Sequence, residues 1–197
     1  GKIDLLPRPD EIPEIVEDAS DLNGNALLKA QGIMKATGLP AIADDTGLEV
    51  EALNGAPGVH SARYAGPDAN GGENIEKLLN ELASVPMNER GARFRTIIVI
   101  LFPDRSIITA EGIVSGKIAL TPKGKLGFGY DSVFLPEEVP GKTFGELTNS
   151  EKNRISHRGK ALQGIIGKLK TMAEDDEQAK NIKQPPTRAS PKQQSHA

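Results

Sequence analysis

The chain contains no cysteine. Disulfides, zinc–thiolate centres and thiol nucleophiles are thereby excluded. It has no run of about 18 apolar residues, so no segment reads as a membrane span. The N-terminal GKIDLLPRPDEIPEI lacks the apolar core of a secretory leader. Excess positive charge is missing as well. A net charge of −3 over 197 residues gives no bulk attraction to nucleic acid or anionic lipid. A small anionic substrate would have to be met by local cations or a metal. Apolar residues are scarce at 37%, in part because the last stretch is almost wholly polar. A cytoplasmic enzyme or binding protein of one domain fits these limits.

What is present divides into a domain over 1–172 and a polar tail over 173–197, read as disordered for want of any apolar pattern. No internal repeat occurs. The Pro- and acid-rich residues 7–20 read as an exposed loop. Ser20 or Asp21 can cap a helix over 22–37, with Leu27, Ala30 and Met34 at helical spacing and Gly38 as the stop. Pro40–Ala43 is a short apolar run before Asp44-Asp45. Leu48–Leu53 reads as a hairpin arm, followed by a glycine-rich loop, NGAPGVHSARYAG. The spacing of Ile75, Leu78, Leu79 and Leu82 predicts a helix over 73–82. Phe94–Phe102, apolar on both alternating faces, reads as a central strand. Ile107–Leu120 reads as another strand bent near Gly112 or Gly116, and the Gly-rich KGKLGFGYD connection leads from it to Ser132–Leu135. A final helix is predicted from Thr148 to about Met172, with Ile155, Leu162, Ile165, Ile166, Leu169 and Met172 as its buried stripe. Mixed strands and helices around a twisted sheet give the class α/β.

Five groups of residues can carry chemistry, and each has a plainer reading. Asp44-Asp45-Thr46-Gly47 places two carboxylates at an expected strand end before a turn, where a divalent cation would offset their repulsion; it also fits a solvated turn. Glu17, in the acidic loop 14–18, is either a further metal ligand or solvated surface. In Phe128-Gly129-Tyr130-Asp131, an aromatic can stack on a base, and Asp131 can read its polar edge; the segment also fits a turn whose aromatic plugs the core. Lys152, Ser156, His157 and Arg158 form a phosphate- or base-recognising patch, or a solvated helix face. Lys29 either reaches a ligand or snorkels to water. Together they supply acids for a metal, cations for phosphate and an aromatic for a base. No Walker phosphate loop is present.

NALLKA, PAIADDTGLEVEALNGAPGVHSARYAG, GFGYDSVF and GKTFGELTNSEKNRISHRGKAL, in that order across about residues 14–170, resemble the dITP/XTP pyrophosphatases, relatives of inosine triphosphatase. The resemblance implies an elongated, two-lobed α/β fold with a central mixed sheet and a cleft between the lobes. It also implies a homodimer, and hydrolysis of ITP, dITP or XTP to the monophosphate and pyrophosphate with Mg2+. By position, Glu17 and Asp45 match the magnesium ligands, with Asp44 close by, and Asp45 matches the proton acceptor. Thr46, Phe128, Gly129, Tyr130, Asp131, Lys152, His157 and Arg158 match substrate contacts, and Lys29 a helix lysine reaching the phosphates.

Two substitutions depart from the family pattern: Ser132 stands where proline is usual, and Gly24 where an acidic residue is common. The family's opening strand and Thr/Ser-x-Asn-x-x-Lys loop are not found, so the sequence reads as starting inside the domain. A non-catalytic nucleotide-binding protein is therefore the competing expectation. A Maf-like pyrophosphatase acting on modified pyrimidines is a third, opposed by the FGYD and SHR segments.

Overall fold

The computed structural model describes residues 3–182, and the side chains of residues 3–175. The expected α/β class is found. Strands β1 (Ala41–Val50), β2 (Pro57–Gly58), β3 (Gly91–Leu101), β4 (Ile107–Ile118) and β5 (Phe134–Pro136) form one sheet in the order β2-β1-β3-β4-β5. The predicted mixed sheet is antiparallel at every pairing among the described residues. The apolar Phe94–Phe102 segment is indeed the central strand.

Local signals explain the first two helices. Helix α1 (Leu22–Thr37) is capped by Asp21, which accepts the Gly24 N–H, and ends at Gly38 in the left-handed region. Helix α2 (Gly71–Glu81) opens on a capping box formed by Asn70 and Glu73, which satisfies two otherwise orphaned N–H groups.

The C-terminal helix differs from expectation in two ways. It is two helices, α3 (Asn149–Ile155) and α4 (His157–Ile182), broken at an extended Ser156. The Ser156 hydroxyl accepts the Gly159 N–H at 3.1 Å and so caps α4. Helix α4 also runs past Met172 to Ile182, because the polar AEDDEQAKNI segment consists mostly of good helix formers. The remainder of the predicted tail lies outside the described residues. Of the expected apolar stripe, Ile165 is buried and Leu169 packs against it, whereas Leu162, Ile166 and Met172 are exposed. No described helix is long and apolar enough to cross a membrane.

Directly opposed residues of an antiparallel pair share a face, and neighbours along a strand alternate. On one face, Ala41, Ile97, Val99 and Leu101 pack against Leu22, Ala26 and Ala30 of α1. On the other, Ile98, Ile100 and Ala110 meet Ala161 and Ile165 of α4. That same face continues into the largest cluster, where Leu48, Phe94, Val114, Phe134 and Phe144 pack together. Gly112 of β4 lets α4 approach: a side chain there would overlap the His157 carbonyl and the Ala161 N–H.

The two long edges of the sheet are treated differently. Along β4, Lys160 and Lys168 donate to the carbonyls of Ile113 (2.9 Å) and Thr109 (2.5 Å), blunting that edge. Along β1, strand β2 pairs only with Leu48 and Glu49. No further strand lies beside Ala41–Gly47 among the described residues.

Candidate active site

Asp44 and Asp45 do not sit at a strand end before a turn. They lie in the middle of β1, paired with Ile98 and Ile97 of β3. Pro40–Ala43 and Leu48–Leu53 read separately because the acidic pair interrupts the apolar pattern, yet the ladder to β3 continues through it. The pleat then sends the two carboxylates to opposite faces. Gly47 is required by packing, since a Cβ there would meet the Gly58 carbonyl oxygen at 2.6 Å.

On the α1 face, the Lys29 ammonium lies 2.8 Å from Asp45 Oδ1 and 3.2 Å from Glu17 Oε2. Lys29 therefore does not snorkel; it joins the two carboxylates that the resemblance names as metal ligands. Asp45 is buried, and its Oδ2 has no hydrogen-bond partner. The Glu17 loop is held by two residues that the sequence reading did not single out. Asn25, fully buried, accepts the Ala19 N–H at 3.0 Å, and Arg63 donates to the Glu17 carbonyl at 3.0 Å. Ile15 docks over Gly32, where a Cβ would strike its side chain at 2.6 Å. A depression of about 240 Å³, lined by Glu14, Glu17, Lys29 and Ala43 among others, opens here.

On the opposite face, Asp44 accepts from Arg158 Nη2 at 2.8 Å and from Nε at 3.1 Å. The Thr46 hydroxyl pairs with that of the buried Thr96 at 2.7 Å. Thr96 is a further site residue whose role only the strand register exposes. His157, at the start of α4, is buried and stacks on Phe94 at 4.6 Å between ring centres.

Burial, followed by the nearby charges of Lys152 and Arg158, pushes the His157 pKa down to about 3. The imidazole is thus neutral at physiological pH. Its ordinary value near 6.5 in the unfolded chain means that the unfolded state takes up a proton first as pH falls. Stability is accordingly lost between pH 6.5 and 3. The wild type should lose about 1.4 kcal/mol per pH unit across that window relative to His157→Phe, read from urea unfolding at pH 7, 6, 5 and 4. Parallel curves for the two proteins would contradict the buried neutral ring.

The FGYD loop separates the roles of its aromatics. Gly127 and Gly129 take positive φ (77° and 55°), which suits glycine alone at low cost. Phe128 is 68% exposed, whereas Tyr130 is 4% exposed and donates its hydroxyl to the Ser61 carbonyl at 2.9 Å. Phe128 is therefore free to stack on a ligand, and Tyr130 is structural. Asp131 is buried; its carboxylate accepts the Phe128 N–H at 2.8 Å and pairs with Lys152. It thereby shapes the loop. The Lys152 ammonium also lies 4.6 Å from the Phe128 ring centre and 5.4 Å from that of Phe144.

The structure thus brings together Glu17, Lys29 and Asp45 on one face of β1. It places Asp44, Thr46, Arg158, Lys152 and the FGYD loop on the other. Glu17 and Lys29 from the first group and Asp44 from the second line one depression beside β1. A larger depression of about 380 Å³ lies at the far end of β1, where Glu49 and Arg93 pair at 2.5 Å. Glu49 and Arg93 in its lining are paired with each other, and none of the residues expected in the site lines it.

No group of three or more His, Cys, Asp or Glu able to hold a metal occurs among the described residues. The α1-face pair nevertheless suits a hard cation. It offers oxygen donors, two carboxylates converging on one positive charge, and a buried Oδ2 with no partner. Magnesium commonly uses one or two carboxylates and completes its shell with water and substrate phosphates. Asp44 points away and is engaged by Arg158.

Comparison with known proteins places this geometry. A model of the Ham1 family matches residues 2–168. The dITP/XTP pyrophosphatase of Geobacillus kaustophilus is 52% identical over 159 residues, covering 80% of this chain and 76% of the relative. That of Haemophilus influenzae is 54% identical over 147 residues, covering 74% and 75%. Among solved structures, a HAM1 protein from Coxiella burnetii superposes with a TM-score of 0.77 at 42% identity, covering 81% of this chain and 82% of the other. The Ham1 protein of Staphylococcus aureus gives 0.76 at 41% identity, covering 81% of each. With the family model spanning nearly all of the described residues and relatives sharing half of their sequence, the chain belongs to the Ham1 family.

Proposed function

We propose that this protein hydrolyses non-standard purine nucleoside triphosphates, ITP, dITP and XTP, to the monophosphate and pyrophosphate, and so removes them from the nucleotide pool. The observation that carries the proposal is the pairing of Glu17 and Asp45 on one ammonium, with an exposed aromatic and a guanidinium on the other face of β1. The phosphates of a bound nucleotide would be met by the Glu17, Lys29 and Asp45 group and its base by Phe128.

Phosphoryl transfer depends mainly on positioning and on neutralising charge. Glu17 and Asp45 would hold Mg2+. When bound, the cation withdraws charge from the phosphate oxygens. The Asp45 carboxylate would accept the proton of the water that attacks the α-phosphorus. The α–β anhydride bond breaks, and Lys29 balances the charge gathering on the departing pyrophosphate. Phe128 stacks on the purine. Arg158 and Lys152 supply donors for a 6-oxo group; an adenine amine, itself a donor, would leave them unpaired.

Purified protein should release pyrophosphate from ITP in the presence of Mg2+ and little from ATP. Phe128→Ala should raise KM for ITP about tenfold, the usual worth of one stacking contact, with kcat little changed. Binding of ITP without pyrophosphate release would favour the non-catalytic reading. Turnover confined to methylated pyrimidine triphosphates would favour the Maf-like one.

A further inference from the structure

The HSARYAG segment supplies no carboxylate, ammonium or stacking ring to the site described above, yet one short turn within it, Ser61–Arg63, touches three of the segments that carry such groups. The Ser61 hydroxyl accepts the N–H of Leu48, on the strand of Asp45, at 2.8 Å, and donates to the Gly58 carbonyl at 2.6 Å. The Ser61 carbonyl accepts the hydroxyl of Tyr130, in the base loop, at 2.9 Å. Arg63 Nη2 donates to the carbonyl of Glu17 at 3.0 Å. The turn is in turn pinned to α2: Asn74 donates to the Ala62 carbonyl at 3.0 Å and accepts the Ala65 N–H at 2.7 Å, and Lys77 donates to the Tyr64 carbonyl at 2.8 Å.

Glu17 lies in an irregular loop, where no helix or strand ladder fixes its main chain. Loop residues keep many conformations unless tied down, and each costs entropy to order. A charged hydrogen bond from a half-buried guanidinium to the carbonyl of the carboxylate-bearing residue removes that freedom at the right point. Groups that orient metal ligands from behind commonly change affinity ten- to a hundredfold when lost.

We propose that Arg63 is a positioning residue for the divalent-cation site: it fixes the main chain of Glu17 so that the Glu17 and Asp45 carboxylates converge, and it contacts neither cation nor substrate. The proposal rests on the reading of Glu17 and Asp45 as the cation-holding pair.

The test is equilibrium binding of Mn2+, followed by the electron paramagnetic resonance signal of the free ion. The proteins are wild type, Arg63→Ala, Arg63→Lys, Glu17→Gln and the Arg63→Ala/Glu17→Gln double variant. Arg63→Ala should weaken binding about tenfold. Arg63→Lys, which can still donate to the Glu17 carbonyl, should recover part of the loss. The double variant should bind no worse than Glu17→Gln alone, because Arg63 acts only through Glu17. In steady-state assays, the Mg2+ concentration for half-activation should rise by the same factor, with KM for ITP at saturating Mg2+ unchanged.

Wild-type affinity in Arg63→Ala would overturn the proposal. So would multiplicative losses in the double variant, or a raised KM for ITP with unaltered Mn2+ affinity, which would place Arg63 on the substrate. Failure of the wild type itself to bind Mn2+ would overturn the cation reading and this proposal with it, and is told apart from the other outcomes by the wild-type titration alone.

Discussion

Asp45→Asn should lower pyrophosphate release from ITP by about a thousandfold, close to 4 kcal/mol of barrier, while leaving the fold intact. The two amino acids are nearly isosteric, so packing against α1 is kept. What is lost is one of two carboxylates proposed to hold the cation, and with it the proposed proton acceptor. Lys29, now answering Glu17 alone, would cancel much of the remaining negative charge. Stability should change little: relief of the carboxylate's desolvation is offset by loss of the charge that Lys29 answers at 2.8 Å, while Lys29 keeps Glu17 as a partner.

The informative comparison is Asp44→Asn. Asp44 is adjacent in sequence but sits on the other face, in an ion pair with Arg158 whose side chains are 39% and 47% exposed. Exposed pairs contribute at most about 1 kcal/mol, so a loss of about fivefold is expected through Arg158. Pyrophosphate release and thermal unfolding of the two variants side by side decide the matter. Equal losses would show that the two carboxylates act together, against their assignment to opposite faces.

The second large effect is on stability. Gly112→Ala should destabilise the protein by about 3 kcal/mol or more, at the upper end of overpacking costs. The added methyl would overlap the His157 carbonyl and the Ala161 N–H. Both are main-chain atoms of α4, so no rotamer change relieves them and the first turn of the helix must lift. That turn carries His157, stacked on Phe94, and Arg158, paired with Asp44. Activity should therefore fall together with stability. Gly167→Ala, on the same helix with nothing within 4 Å of the new Cβ, is the control and should stabilise by about 0.5–1 kcal/mol through helix propensity. Urea unfolding of both variants measures the difference. A Gly112→Ala protein as stable as wild type would mean that α4 does not pack against β4 this closely.

Much of this protein was legible before its fold. The bounds of α1 follow from Asp21, Gly38 and an apolar period, and α2 was recovered to within two residues. The two-sided apolarity of Phe94–Phe102 marked the central strand. The motif-bearing segments supplied the candidate site residues, and the absence of cysteine removed whole classes of chemistry. These features depend on residues close together in the chain, such as a cap and the N–H it accepts, or a stripe that repeats each turn.

Other features depended on partners far away in sequence. Whether Asp44-Asp45 ends a strand or lies within one is settled by pairing with Ile97 and Ile98, and that pairing sends neighbouring carboxylates to opposite faces. The exposed Phe128 and the buried Tyr130 are two residues apart and chemically similar; the Ser61 carbonyl separates them. The break at Ser156 sits inside a helix-compatible run and becomes necessary only because α3 and α4 pack on different neighbours. Asn25 and Arg63 carry no chemical signature of their own, and their part in the site arises from the Ala19 N–H and the Glu17 carbonyl they hold. Residue types and local periodicity thus determined which groups are available, whereas the direction each one faces was set by hydrogen bonds and packing that close only when distant segments meet.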